Sequence, residues 1–248
     1  MYNYILNFLQ NRTFQVRVGD NLSERKTQVN GVPQGAVISP ILFNVLINGI
    51  SKTEKKFKNV ELGQFADDSG LWTKSNKFQH KTKNHKKKIE NIENAANLVI
   101  KKLKELGFKV NVNKTQVIFF GTDEEITVNL DGQIVKSQPT AKYLGVTFDK
   151  FLKFKDHIND VRKKGERALG LLKATAGRKW GLRTKDKILL YKNFIRPKFL
   201  YACEIWDQGD KASLEKLDKI QNKALRIITN TPNSTSIDGK PGRRNIQR

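Results

Sequence analysis

Two adjacent aspartates, Asp67 and Asp68, close the stretch Phe65-Ala66-Asp67-Asp68 between apolar, β-prone runs, with Val60 and Leu62 before it and Leu71 and Trp72 after it. The pattern predicts a hairpin with the acidic pair at its bend. Neighbouring carboxylates repel one another, and a divalent cation that takes both as oxygen ligands relieves the repulsion and bridges them to phosphate. Such an arrangement suits metal-assisted phosphoryl or nucleotidyl transfer. An acidic pair by itself is also an ordinary solvated turn, so the reading depends on what the chain places around it.

Upstream, Gly31-Val-Pro-Gln-Gly-Ala-Val-Ile-Ser-Pro-Ile-Leu-Phe-Asn44 combines three devices. Pro33 fixes backbone, while Gly31 and Gly35 allow main chain to approach a ligand closely. Gln34 offers an amide that both donates and accepts. Ser39-Pro40 reads as a helix N-cap followed by proline at the first helical position, launching Ile41, Leu42, Val45, Leu46 and Ile50 at helical spacing. A glycine-bearing loop that runs into a helix N-terminus favours phosphate, and a plain loop-to-helix junction is the alternative.

These two stretches resemble palm motifs B and C of reverse transcriptases, in the form found in non-LTR (LINE-type, jockey-like) retrotransposons. Leu106-Gly-Phe-Lys-Val-Asn-Val-Asn-Lys-Thr115 resembles motif D, and Lys142-Tyr-Leu-Gly-Val146 resembles the motif E primer grip. Ile188 to Trp206 and Leu214 to Thr229 look like the thumb of these elements. The resemblance implies an RNA-directed DNA polymerase acting on an RNA template, a DNA primer and deoxynucleoside triphosphates, with Mg²⁺ as cofactor. It makes Asp67 and Asp68 the metal ligands and catalytic residues, and Lys114 a general acid for the departing pyrophosphate. Pro33, Gln34, Gly35, Phe65 and Ala66 would line the nascent pair and template, and Tyr143, Leu144, Gly145 and Val146 would support the primer. For Lys114 a plain surface lysine remains the alternative, as packing does for Leu144 and Val146.

Two departures from the family pattern stand out. Ala36 replaces a common Ser, which is a small change. More important, the family's third carboxylate comes from motif A, upstream of motif B on a palm strand, and the only acids before Gly31 are Asp20 and Glu24. Asp20 falls in a Gly19-Asp20-Asn21 turn between strand-like segments, so neither acid has the required setting. The expectation is a piece of a longer reading frame or a truncated copy, either a fragment of an enzyme or a catalytically inactive nucleic-acid-binding remnant.

Composition agrees with a polyanionic partner. The 248 residues carry 47 Lys and Arg against 24 Asp and Glu, a net charge of +23. No apolar run approaches the roughly 18 residues of a membrane span, so no membrane partner is expected. Cys203 is the only cysteine, which excludes an internal disulfide. His80, His85 and His157 lack metal-ligand spacing. Nothing in the sequence fixes an oligomeric state.

The expected fold class is α+β: a partial right-hand polymerase palm, antiparallel sheet with helices, over residues 1–148, an all-helical thumb over 149–230 and a disordered basic tail over 231–248. A helix over 79–106, with a lysine-dense block from Lys81 to Lys88, should stop at Gly107. Strands are expected over Phe108–Val112 and Gln116–Phe120, and a hairpin at Asp131-Gly132. Thumb helices are expected over 155–176, 184–206 and 212–230, with Thr184 as a cap, a kink at Pro197, and an apolar face of Ile158, Val161, Leu169, Leu171 and Leu172. Arg162, Lys163, Lys164, Lys173, Arg178, Lys179 and Arg183 should face a duplex. Trp180, Tyr201 and Trp206 are expected in the core rather than as stacking platforms.

Overall fold

The computed structural model describes residues 1–51, 56, 57, 59–73, 82–177 and 180–232, with the backbone alone at 82–85. Expectations for His80, Lys81, Arg178, Lys179 and the tail from 233 onward, and for the His85 side chain, lie outside these residues. Helices and small antiparallel hairpins make an α+β chain that divides into two compact units, Met1–Val110 and Asn111–Arg248.

In the first unit, helix α1 (Tyr2–Leu9) leads into an interrupted hairpin. Strand β1 (Thr13–Phe14) pairs with β4 (Lys26–Thr27), and β2 (Arg17–Val18) with β3 (Asn21–Leu22) around the expected Gly19-Asp20 bend. Helix α2 (Ser39–Ser51), hairpin β5 (Val60–Phe65) and β6 (Asp68–Thr73), and helix α3 (Thr82–Glu105) follow. Phe43, Ile47 and Ile50 recur at helical spacing on α2 and meet Val99 and Leu103 of α3. The same cluster takes in Leu62 and Leu71, which sit directly opposite each other in the hairpin. Helix α3 ends as its glycine predicts. Gly107 has φ +82, its N–H bonds to the Lys104 carbonyl, and the Phe108 N–H reaches back to Leu103, a Schellman motif.

The strands expected over Phe108–Val112 and Gln116–Phe120 do not form. Phe108 is used in closing α3, and its ring packs edge-on against Phe43 at 5.9 Å. Val112 opens a 3₁₀ turn through Lys114. Residues 116–120 make isolated bonds, from the Gln138 N–H to the Val117 carbonyl and from the Lys142 N–H to the Gln116 side chain, instead of a ladder. Alternation of apolar residues makes a strand only where a neighbouring backbone completes the pairing.

The second unit holds two further hairpins, β7 (Thr127–Leu130) with β8 (Gln133–Lys136) and β9 (Thr140–Tyr143) with β10 (Val146–Asp149). The first turns over Asp131-Gly132 as expected, with φ +53 and +81 at the two central residues. Helix α4 (Lys155–Ala174) packs along α8 (Lys211–Thr229) through Ala168, Leu169 and Leu172 on one and Ile220, Ala224 and Ile228 on the other. Gly165 of α4 admits the Phe199 ring where a Cβ would collide with it. Leu171, expected in this face, is exposed, because it lies about 100° around the helix from the fully buried Leu172.

Between these helices the chain runs as α5 (Thr184–Leu190), a π-helical segment Tyr191–Ile195, α6 (Arg196–Leu200) and α7 (Cys203–Trp206). Thr184 is not a side-chain cap. Arg183 occupies the cap position, and its guanidinium pairs with Asp186 at 2.9 Å, holding that carboxyl below the usual range. The disturbance expected at Pro197 takes the form of the widened turn before it, which leaves proline at the start of α6, where its missing N–H has no helical duty. Asp210 caps α8, accepting from the Ser213 N–H at 3.0 Å and from its hydroxyl at 2.7 Å.

Candidate functional site

The Asp67-Asp68 motif is a two-residue hairpin. Phe65 pairs with Asp68, leaving Ala66 and Asp67 as the turn, and Ala66 takes φ +51, a left-handed conformation that costs a residue with a Cβ about 1 kcal/mol. Phe65, Ala66, Asp67 and Asp68 are all exposed. Among the described residues neither carboxylate side chain forms a hydrogen bond or an ion pair, although the chain carries a net charge of +23. The hairpin stem is fixed by Leu62 and Leu71 in the core and by the Trp72 indole N–H bonded to Glu61 at 2.8 Å.

The hard carboxylate oxygens of this pair suit Mg²⁺, which binds through one or two carboxylates and completes its octahedron with waters and substrate phosphates. Their exposure leaves space for those further ligands. Among the described residues no group of three or more His, Cys, Asp or Glu gathers around a common point.

The loop that carries Pro33, Gln34 and Gly35 enters α2, whose apolar face packs on the same hairpin. Gly31 and Gly35 have φ +83 and +89, conformations that glycine adopts at little cost, and Gln34 and Gly35 are exposed at the turn. Ser39 does not cap the helix. It is the first helical residue, and its buried hydroxyl donates to the Pro33 carbonyl at 2.6 Å, tying the loop to the helix start. Arg12 ties the other end, donating to the Gly31 carbonyl at 2.7 Å and the Leu9 carbonyl at 3.0 Å. Its remaining terminal nitrogen is buried without a partner among the described residues. Sequence reasoning passed over Arg12, since nothing in its neighbours signals a partner 19 residues away.

In the second unit, Tyr143 and Val146 pair across a turn of Leu144 and Gly145 with φ +45 and +82, both positive as type I′ hairpins require. Val146 is 3% exposed and belongs to the core with Phe154, Ile158, Val161, Trp206 and Leu217. Gly145 is exposed, and a Cβ there would stand 3.2 Å from the Tyr201 ring. Tyr201 and Trp180 were expected in the core, but they are 58% and 77% exposed, and of the three aromatics only Trp206 is buried. Both exposed rings stand beside glycines, Gly145 and Gly177, at breaks between helices.

Lys114 sits exposed at the end of its 3₁₀ turn. Lys163, Lys164 and Lys173 of α4 are exposed, Lys164 beside the buried edge that holds His157, whereas Arg162 pairs with Glu166 at 3.0 Å. Beneath the second hairpin, burial and the nearby Lys164 and Lys142 push the His157 imidazole below its usual range, against the opposing pull of Asp160.

Comparison with known proteins bears on both hairpins. The family model described as "Reverse transcriptase (RNA-dependent DNA polymerase)" matches residues 2–148. The RNA-directed DNA polymerase from mobile element jockey of Drosophila melanogaster is 26% identical over 238 residues, 94% of this chain and 25% of the relative. The probable RNA-directed DNA polymerase from transposon BS of the same organism is 27% identical over 239 residues, 93% of this chain and 26% of that protein. A retrovirus-related Pol polyprotein from type-1 retrotransposable element R1 2 of Nasonia vitripennis is 26% identical over 186 residues, covering 71% and 43%. The chain thus spans about a quarter of the length of the first two relatives. No solved structure matches. The match runs through the glycine loop, the acidic hairpin and the second hairpin alike, and the chain belongs to the reverse transcriptase family, among the homologues of non-LTR retrotransposon RNA-directed DNA polymerases.

Proposed function

We propose that this chain supplies palm and thumb parts of an RNA-directed DNA polymerase that extends a DNA primer on an RNA template, with residues 1–148 as palm and 149–230 as thumb. The observation that carries this reading is the exposed, unpaired carboxylate pair on a hairpin turn in a strongly cationic member of this family. In it Asp67 and Asp68 are the residues that would hold Mg²⁺. The bound ion supplies Lewis-acid activation and charge neutralisation for in-line displacement.

Every other role falls to the protein's own residues. Gln34 and Gly35 offer an amide and a bare backbone to the nascent pair, on a loop anchored by Ser39 and Arg12. Lys114 holds a proton for the departing pyrophosphate, and the Leu144-Gly145 turn, exposed at Gly145, lies against the primer. The exposed lysines of α4, Lys163, Lys164 and Lys173, attract phosphate without reading sequence.

The test is primer extension on an RNA template with deoxynucleotides and Mg²⁺, using the 248-residue chain and a fusion that adds the fingers and motif A aspartate of a jockey-type relative ahead of Met1. Extension is expected from the fusion and not from the chain alone, because two carboxylates from one turn do not hold two ions in register. In parallel, affinity for a primer–template duplex should fall with salt along a log–log slope equal to roughly five or more neutralised phosphates. Salt-sensitive binding with a silent fusion would favour a purely nucleic-acid-binding role. A flat salt dependence would remove both readings.

A further inference from the structure

The second hairpin is held to the helices at several independent points. The Tyr201 hydroxyl donates to the Leu144 carbonyl at 2.6 Å, and its ring lies against Gly145, at the two residues that form the turn. The Trp206 indole N–H donates back to the Tyr201 carbonyl at 3.1 Å. Trp206, 3% exposed, meets the His157 ring edge-to-face at 5.6 Å. His157, also 3% exposed, accepts from the Thr147 N–H of β10 at 3.3 Å. At the strand's end, Asp149 accepts from the N–H groups of Phe151 and Lys153, each at 3.0 Å, and of Phe154, folding the chain directly into α4.

These contacts close a ring: turn, Tyr201, Trp206, His157, strand. Tyr201 reaches the turn because the chain breaks between α6 and α7, where Ala202 takes φ +51. A conformation disfavoured for alanine is thus kept at the residue that directs an exposed aromatic ring onto a hairpin tip. A ring 58% exposed gains little from burial, so its hydroxyl bond and its fit against Gly145 are what hold it there.

We propose that Tyr201 is a positioning residue, which fixes the Leu144-Gly145 turn on the helical region through Trp206 and His157, so that the primer-supporting turn and these helices move as one body. The proposal rests on the reading above only in taking this turn as the primer contact.

The test uses the full chain, Tyr201→Phe, which keeps the ring and loses the hydroxyl, and Tyr201→Leu, which loses both. Amide exchange at Gly145 and Val146 is measured without nucleic acid. Binding is then compared between a recessed primer–template and a blunt duplex of equal length, with 2-aminopurine at the primer 3′ end. In Tyr201→Phe, exchange at the turn is expected to accelerate roughly three- to tenfold, the range for losing one hydrogen bond. Affinity for the blunt duplex should stay within about twofold, since phosphate attraction by lysines does not require the turn to be fixed. The preference for the recessed end and the ordering of its terminal base should fall by a similar factor to the exchange, and further in Tyr201→Leu. A merely structural role would weaken both duplexes together. Unchanged exchange in Tyr201→Phe overturns the proposal, as does faster exchange with the terminus preference intact. If the wild-type chain shows no terminus preference, the primer assignment fails, and the exchange measurement alone decides whether Tyr201 fixes the turn.

Discussion

Two hairpins in this chain have turns of the same length and opposite surroundings. Each closes over two residues and accepts a positive φ at a residue other than glycine, Ala66 in one and Leu144 in the other. At Ala66-Asp67 the side chains project into solvent, and the carboxylates of Asp67 and Asp68 have no partner among the described residues. At Leu144-Gly145 the turn is bound by Tyr201, and the strand behind it by His157. An open turn retains its ligand-binding capacity, because nothing internal competes for its oxygens. A bound turn has given up that capacity and gained a defined position. In the proposed reaction, the first suits the site of chemistry and the second suits a support.

The largest effect should come from the open turn. In the extension-competent fusion, Asp67→Asn keeps the shape and loses the charge, so Mg²⁺-dependent extension should fall at least about a thousandfold. The melting temperature should stay within about 2 °C, because no internal contact is lost. Full extension by the variant would remove the site assignment. A large drop in melting temperature would mean that this turn is bound in a way that contradicts the contrast.

Glycine substitution separates the bound turn from an unbound one. Gly132 and Gly145 have nearly the same φ, +81 and +82, but a Cβ at Gly132 meets nothing within 4 Å, whereas at Gly145 it meets Tyr201 at 3.2 Å. Gly132→Ala should cost about 1 kcal/mol from backbone strain alone. Gly145→Ala should cost about 1 kcal/mol more, from displacing the ring. Urea titration of the two variants gives the difference directly, and equal costs would mean that Tyr201 yields freely.

Local chemistry made much of this legible from sequence. The Asp67 and Asp131-Gly132 hairpins and the Gly107 stop follow from φ demands and spacing confined to a few residues, whereas α2 begins one residue before the expected Pro40 and without the expected Ser39 cap. The misses have a different origin. Phe108–Val112 alternates like a strand, but its backbone bonds go to a helix end and a 3₁₀ turn. Tyr201 and Trp180 have the apolar bulk of core residues, but they stand at helix breaks, where the chain presents them to solvent. Arg12, Tyr201 and His157 act through partners 19, 57 and 10 residues away, and side-chain type alone does not point to such partners.

The His157 anchor should respond to pH. Its imidazole is pushed down first by burial, then by Lys164 and Lys142, with Asp160 opposing, and it accepts a backbone N–H, so the folded state holds it neutral. The unfolded chain binds the proton more readily, and stability therefore rises with pH across the interval between the folded and unfolded values. The contribution should be complete above about pH 7 and decline as pH falls through about 6.5. His157→Phe keeps a ring against Trp206 and should flatten that part of the profile relative to wild type. Parallel profiles for the two proteins would remove His157 from the anchor.

The smallest effect concerns the hydroxyl that ties the glycine loop to the start of α2. Ser39 donates to the Pro33 carbonyl at 2.6 Å and is buried, although its place before Pro40 reads as a helix cap. The two roles make opposite demands, since a cap accepts from backbone N–H groups and this tie must donate to a carbonyl. Ser39→Ala should cost about 1 kcal/mol under either role. Ser39→Asp separates them, because aspartate is a strong cap but has no proton to donate at neutral pH and would set a carboxylate against a carbonyl oxygen. The tie therefore predicts that Ser39→Asp is at least as destabilising as Ser39→Ala in urea titration, with faster amide exchange at Gln34 and Gly35 in both. If Ser39→Asp restores wild-type stability, the hydroxyl serves the helix, and the glycine loop is held by Arg12 alone.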